Sequence, residues 1–185
     1  MLYQVPAFAT GRDCRTVIST YERCRHAHGA LVGDPFFDRR VLWIGSFPER
    51  ENETRRILQD WRTRATLAVS LNAGRRLYSD TIQVVRWDGQ EMPPHYDDRH
   101  PDGSAHRSPW REWAGVIYLN DDYAGGDLWF PSLGASYKPV AGTFVFFQGS
   151  LLHGVRKTTS GLRYTSPSWY TSDRSREDPV ANLEY

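Results

Sequence analysis

Along its first third the chain repeats apolar residues at helical spacing. From Asp13 to about Leu31, Val17, Ile18, Tyr21 and Cys24 fall on one face, and Asp13 reads as the N-cap of that helix. After Asn52 a second stripe runs through Ile57, Leu58, Trp61, Ala65 and Ala68, with Arg55, Arg56, Asp60 and Arg64 largely outside it. Those charges read as a solvated face whose long stems cover the helix.

Past Gly74 the period changes. Short runs rich in β-branched and aromatic residues, "TIQVVRW", "WAGVIYLN", "DLWF", "ASYKPV", "TFVFF", "LLHGVR" and "RYTSPSWYT", are separated by Gly, Pro and Asp. About eight strands in roughly 100 residues predict an α+β, mainly β fold: a jelly roll of two sheets, supported by the N-terminal helices. A single domain over 1–185 is expected, with helical support over about 1–75, the jelly-roll core over about 76–172 and a polar tail over 173–185.

Composition narrows the function classes. With 185 residues, 39% hydrophobic content and seven Trp, the chain has material for one substantial core. A net charge of +1 leaves no broad electrostatic footprint for nucleic acid or an anionic membrane, so neither is expected as a partner. No run approaches the ~18 apolar residues of a membrane span. The opening "MLYQVPAFATGRDC" lacks a basic segment followed by a long apolar one, and a cytoplasmic protein is expected. Cys14 and Cys24, ten apart on one helix, would lie about 15 Å apart, too far for a disulfide. They read as free thiols; the oligomeric state is not encoded in any visible pattern.

Two His-x-Asp triplets, His95-Tyr96-Asp97 and His100-Pro101-Asp102, sit in "EMPPHYDDRHPDG". In an extended strand His95 and Asp97 share a face and can address one metal ion. "HPDG" reads instead as a surface turn, because Pro101 cannot donate to a ladder. A facial site of one carboxylate and two imidazoles suits a non-heme iron with open positions, and it needs a second His from elsewhere. His26 and His28 lie on the first helix and His100 and His106 in the polar loop, which leaves His153 in "SLLHGVRKTTSGLRY". Arg163 follows ten residues later beyond "TTSG", where a hairpin can return it toward the metal to fork onto a carboxylate.

The blocks "VVRWDGQEMPPHYD", "VIYLNDDYAGGDLWFP", "PVAGTFVFFQGSLLHGV" and "VRKTTSGLRYTSPSWY", in this order over about 80–170, resemble the Fe(II)- and 2-oxoglutarate-dependent oxygenases, within them the prolyl 4-hydroxylase-like branch. The resemblance implies a double-stranded β-helix in which His95, Asp97 and His153 are the metal ligands and catalytic centre. It implies Fe(II), 2-oxoglutarate as cosubstrate, O2 and ascorbate as reductant. Arg163 would meet the distal carboxylate of 2-oxoglutarate, with Tyr118 and Thr165 adding donors. Trp87 stands where relatives usually carry a Tyr that donates to 2-oxoglutarate, so that role is either altered in geometry or lost. Asp97 is retained, which favours hydroxylation over halogenation.

The substrate is less legible. Arg86, by analogy with a basic residue in relatives, and Trp113, Tyr123, Trp129 and Trp169, near strand ends, are the candidate contacts, although core packing is the favoured reading of each aromatic. The long polar insert 98–112 has the texture of an active-site lid or of a plain surface loop. The expected reaction is hydroxylation of an unactivated C–H bond in an amino acid, short peptide or small natural product, with 2-oxoglutarate converted to succinate and carbon dioxide. Peptidyl-proline hydroxylation is the alternative substrate reading. A non-catalytic metal- or carbohydrate-binding jelly-roll module and a cupin-type metalloenzyme of other chemistry are the alternatives of another class.

Overall fold

The structure, a computed structural model, describes residues 1–28, 37, 39–104 and 106–179. Two long helices, α1 (Gly11–His28) and α2 (Asn52–Ala73), precede most of the sheet, as the helical periodicity predicts. The cap of α1 is Thr10 rather than Asp13: the Thr10 hydroxyl accepts the Asp13 N–H at 3.1 Å, which places Asp13 in the first turn beside the positive end of the helix. The expected extension to Leu31 and the tail residues 180–185 lie outside the described residues. At the end of α2, Gly74 adopts φ +66°, and its N–H reaches the Leu71 carbonyl at 3.3 Å, a left-handed stop that a side chain would strain.

Residues Tyr78–Trp87 (β3) and Arg163–Thr171 (β12) form the longest antiparallel pair and the spine of a six-stranded sheet. Trp113–Tyr118 (β5) and Phe144–Gln148 (β9) continue it on one side. Its two edges come from the N-terminal region, Leu2–Val5 (β1) against β9 and Val41–Trp43 (β2) against β3, so the order is β1-β9-β5-β12-β3-β2. The first 75 residues therefore supply two edge strands as well as helices. At three and four residues these strands are too short to announce themselves by pattern, and the sheet edge supplies their pairing.

A second sheet, in the order β4-β10-β7-β8, is built from Met92–His95 (β4), His153–Val155 (β10), Leu128–Phe130 (β7) and Ala135–Tyr137 (β8). Strand β4 contains Pro93 and Pro94, which sequence rules discourage in a strand. It survives because it is an edge, where a missing N–H breaks few ladder bonds. A small ribbon pairs Ala124–Gly125 (β6) with Thr158–Ser160 (β11).

Strand parity assigns the two faces of the large sheet. Ile82, Val84, Ile117, Phe144 and Phe146 join Val17, Tyr21, Leu58, Trp61, Ala65 and Val69 of the helices in one buried cluster. Residues one position out of phase, Val85, Trp87, Val145 and Phe147, point the other way, toward the smaller sheet. Cys14 and Cys24 are free and buried within α1, and burial pushes the Cys14 thiol up to about 11. Arg62, which the solvated face of α2 did not include, lies on the sheet side of the helix. It is buried, and donates to the carbonyls of Ser79 at 2.9 Å and Asp178 at 3.1 Å, tying α2 to β3 and the C-terminal segment. Among the described residues, no helix is long and apolar enough to cross a membrane.

Candidate active site

Between the two sheets lies a cavity of about 100 Å³ whose lining includes His95, Asp97, His153, Arg163, Thr165, Trp87 and Trp169. His95 closes β4 and His153 opens β10; they are direct partners across the ladder, with ring centroids 4.4 Å apart. The strand ends at His95, so Asp97 is not part of it as the extended-strand expectation had it. A bend brings Asp97 in, fixed by its N–H on the Gly149 carbonyl at 3.0 Å. Even so, one ligand atom from each of the three residues lies within 4.8 Å of the others.

Hydrogen bonds around these residues decide which atoms face inward. The Nδ1 of His95 meets the Pro93 carbonyl at 2.9 Å, and the Nδ1 of His153 meets the Leu151 carbonyl at 2.9 Å. A carbonyl only accepts, so each Nδ1 carries the proton and each Nε2 presents a lone pair. Burial holds the His153 pKa below the usual range, with Asp97 raising it and His95 lowering it further. The imidazole is therefore neutral at pH 7. Its Nε2 lies 3.5 Å from Asp97 Oδ2, which is buried with no donor, while Asp97 Oδ1 accepts the Trp169 indole N–H at 2.8 Å. Two facing lone pairs in a buried site repel unless a cation stands between them. The donor set, two imidazoles whose Nδ1 atoms are turned to backbone carbonyls and one carboxylate oxygen, fits a divalent iron.

Arg163, at the start of β12, is 1% exposed. Among the described residues no carboxylate pairs with it, and its Nε and Nη1 have no hydrogen-bond partner. The hydroxyls of Tyr118, Tyr123 and Thr158 are buried as well, and both phenols lie against the Arg163 guanidinium. Gly126 marks where these groups converge: a Cβ there would stand 2.8 Å from Arg163 Cδ and 3.1 Å from both Thr158 Oγ1 and a Tyr123 ring carbon. Burial raises the pKa of the Tyr118 phenol, and that of Tyr123 to about 12, with Arg163 opposing both shifts. Both phenols are therefore neutral donors at pH 7. A buried cation surrounded by donors and lacking an anion fits the distal carboxylate of a small dicarboxylic acid.

Trp87 does not aim its N–H into this cradle. The indole donates to Thr165 Oγ1 at 3.1 Å, across the β3–β12 pair. The Thr165 hydroxyl, with its oxygen already accepting, is left to donate its own proton.

Of the five candidate substrate contacts, only Trp169 lines the cavity. Arg86 lies on the helix side of β3, where it pairs with Glu22 of α1 at 3.6 Å and with Asp88 at 2.9 Å. Trp113 is on the helix side of β5, its ring 6.2 Å from those of Tyr3 and Phe146. Trp129 faces outward from β7 under the Arg156 guanidinium, while its neighbours Leu128 and Phe130 are buried inward. Tyr123 belongs to the Arg163 cradle. The alternation that placed His95 beside the cavity would have excluded Arg86, once Trp87 was placed inward.

Two structural contributions had no simple signal in the sequence. Asn120 accepts the Tyr164 N–H at 2.8 Å and donates to the Leu162 carbonyl at 2.7 Å, clamping the backbone on both sides of Arg163. Phe147 packs edge-on to His153, with ring centroids 4.5 Å apart, and fixes the ring's plane. His100-Pro101-Asp102 is a turn as expected: Gly103 N–H reaches the His100 carbonyl at 3.1 Å, and Asp102 accepts from Ser104.

The comparisons agree with this geometry. Residues 82–171 match the family model of the 2OG-Fe(II) oxygenase superfamily. Among curated proteins, Prolyl 3-hydroxylase 3 of Mus musculus is 37% identical over 93 residues; the match covers 43% of this chain and only 13% of that protein. Among solved structures, the collagen prolyl hydroxylase of Paramecium Bursaria Chlorella virus-1 superposes with a TM-score of 0.67 at 21% identity, covering 94% of this chain and 96% of that one. A prolyl-4-hydroxylase of Pseudomonas putida superposes with a TM-score of 0.68 at 19% identity, covering 93% and 92%. The sheet pair is thus the double-stranded β-helix fold of these structures, and residues 82–171, just under half of the chain, carry the match to the 2OG-Fe(II) oxygenase superfamily.

Proposed function

We propose that this protein is an Fe(II)- and 2-oxoglutarate-dependent dioxygenase that hydroxylates an unactivated C–H bond. The observation that carries the reading is the pairing, in one cavity, of the His95/Asp97/His153 donor set with a buried guanidinium at Arg163 that lacks an anion. Bound Fe(II), with 2-oxoglutarate as the two-electron donor, supplies the activation of dioxygen that turns C–H into C–OH and leaves succinate and carbon dioxide.

The chain's own residues position and shield. His95 Nε2, His153 Nε2 and Asp97 Oδ2 would hold the metal, and the carbonyls of Pro93 and Leu151 keep the two imidazoles in the ligating tautomer. Arg163, with Tyr118, Tyr123 and the Thr165 hydroxyl, would bind the far carboxylate of 2-oxoglutarate and so orient its reactive end toward the metal. Leu128, Phe147, Val155 and Pro167 line the rest of the cavity with apolar surface that excludes water from the reacting centre. Ascorbate would serve as the reductant that keeps the metal ferrous.

The proposed substrate is an amino acid, short peptide or small natural product that presents an aliphatic carbon to this apolar wall. Peptidyl proline is a second reading, supported by the prolyl hydroxylases among the similar proteins. The test is to supply isotopically labelled dioxygen with a panel of free amino acids, proline-containing peptides and natural-product fragments. Stoichiometric succinate with one labelled oxygen atom in the product supports the proposal. Succinate released at the same rate with every candidate, and with no labelled product, would remove the hydroxylase reading.

A further inference from the structure

Resting on the oxygenase reading, we propose that Arg111 is a positioning residue for the metal-facing carboxylate, acting through the indole of Trp169. Asp97 Oδ1 is committed to the Trp169 N–H at 2.8 Å, which leaves Oδ2 alone turned toward the imidazoles. The Arg111 guanidinium carbon lies 3.9 Å from the centroid of that Trp169 ring. A cation at that distance attracts the ring's π electrons and polarises the indole N–H, making it a stronger donor.

Arg111 is held there. Its Nε donates to Asp80 Oδ2 at 2.8 Å, with both side chains largely buried, and the same oxygen accepts the Trp110 indole N–H at 3.1 Å. Asp80 thus fixes where Arg111 stands, and the cation over the Trp169 ring and the Asp97 oxygen on its N–H polarise the indole in the same sense. The consequence is that Asp97 would offer a metal one oxygen, the other being held by the indole.

The backbone supplies a second link between the same residues. Asp97 N–H donates to the Gly149 carbonyl at 3.0 Å, and Gly149 N–H donates to the Glu112 carbonyl at 2.8 Å. A Cβ on Gly149 would stand 2.4 Å from the Arg111 carbonyl oxygen and 3.4 Å from Asp97 Cβ, so only glycine lets the two segments approach this closely. At the other end of the loop Arg99 donates to the Ser150 carbonyl at 3.3 Å. Arg99 and Glu112, near the two ends of the polar segment, are thus both tied to the Gly149–Ser150 turn that holds Asp97.

The experiment measures Co(II) binding by calorimetry in the wild type, Arg111→Met, which keeps an apolar stem over the ring, and Arg111→Lys, which keeps the charge. Folding of each is checked by circular dichroism and thermal melting. Arg111→Met is expected to bind Co(II) about 3–10-fold more weakly, with Arg111→Lys recovering most of the loss. In the metal-free protein the Trp169 indole N–H proton resonance, assigned by its absence in Trp169→Phe, is expected to move upfield in Arg111→Met. Should Arg111→Met fail to fold, Asp80→Asn, which frees Arg111 from its anchor, is expected to shift both readouts in the same direction. Wild-type affinity and an unmoved resonance in Arg111→Met, or in Asp80→Asn where it replaces that variant, would overturn the proposal, as would Arg111→Lys binding as weakly as Arg111→Met. A wild type that takes up no Co(II) would sink the metal-centre reading and this inference together, whereas an unchanged variant beside a binding wild type sinks this inference alone.

Discussion

The indole N–H of Trp87 donates to the hydroxyl oxygen of Thr165 at 3.1 Å, one strand away from Arg163. Relatives are expected to place a direct donor to 2-oxoglutarate at this position. Here the Trp87 indole holds the Thr165 hydroxyl instead, which would make the contact in its place. Trp87→Phe removes one neutral hydrogen bond and frees Thr165 to rotate, so 2-oxoglutarate affinity should fall about 2–10-fold while Fe(II) affinity holds. Titration of the cosubstrate into metal-loaded protein checks this. An unchanged affinity would mean that Thr165 is oriented without Trp87.

Arg163 should be costly to the fold and necessary to the function. Its Nε and Nη1 are buried without partners. Arg163→Met should therefore leave the ligand-free protein no less stable, and up to about 1–4 kcal/mol more so, while 2-oxoglutarate binding weakens about 10–100-fold. Denaturant melts and cosubstrate titrations read the two signs separately. A destabilised variant that still binds 2-oxoglutarate would contradict the assignment.

Much of this arrangement was readable from the residues. The helical stripes on α1 and α2 and the β-rich runs after Gly74 follow from period, and the choice of His95, Asp97 and His153 follows from ligand chemistry and the resemblance, though not the route by which Asp97 arrives. What escaped depends on tertiary pairing. Strands β1 and β2 exist because a sheet edge accepts them, and β4 keeps two prolines because it is an edge. Asp97 reaches the site by a bend pinned to Gly149, which nothing local announces. The misplaced Arg86, Trp113 and Trp129 fall to strand parity. Each is out of phase with a neighbour on the cavity side, a relation visible only once one residue per strand has been placed.

Gly126 is the third test. It has φ +70°, and a Cβ there would press on Arg163 Cδ at 2.8 Å. Gly126→Ala should cost about 1–3 kcal/mol in stability and push the guanidinium off its position, weakening 2-oxoglutarate more than metal. Equal weakening of both would indicate a general loosening of the core instead.

Acid should act through His153. Burial lowers its folded-state pKa, whereas the unfolded chain titrates near ~6.5. In metal-free protein the unfolded state therefore binds the extra proton first. The His153 effect is absent above that pH, and stability falls as pH drops through it toward the lower folded value. Urea midpoints of metal-free protein should follow this decline, and His153→Gln should flatten it. The same decline in His153→Gln would assign it to other groups.

The most direct test of the central claim is optical. Fe(II) and 2-oxoglutarate added together without oxygen should give the native protein a weak visible charge-transfer band, absent in His95→Ala, and admission of oxygen should then release succinate. A native protein that shows no band and yields no succinate would contradict the account.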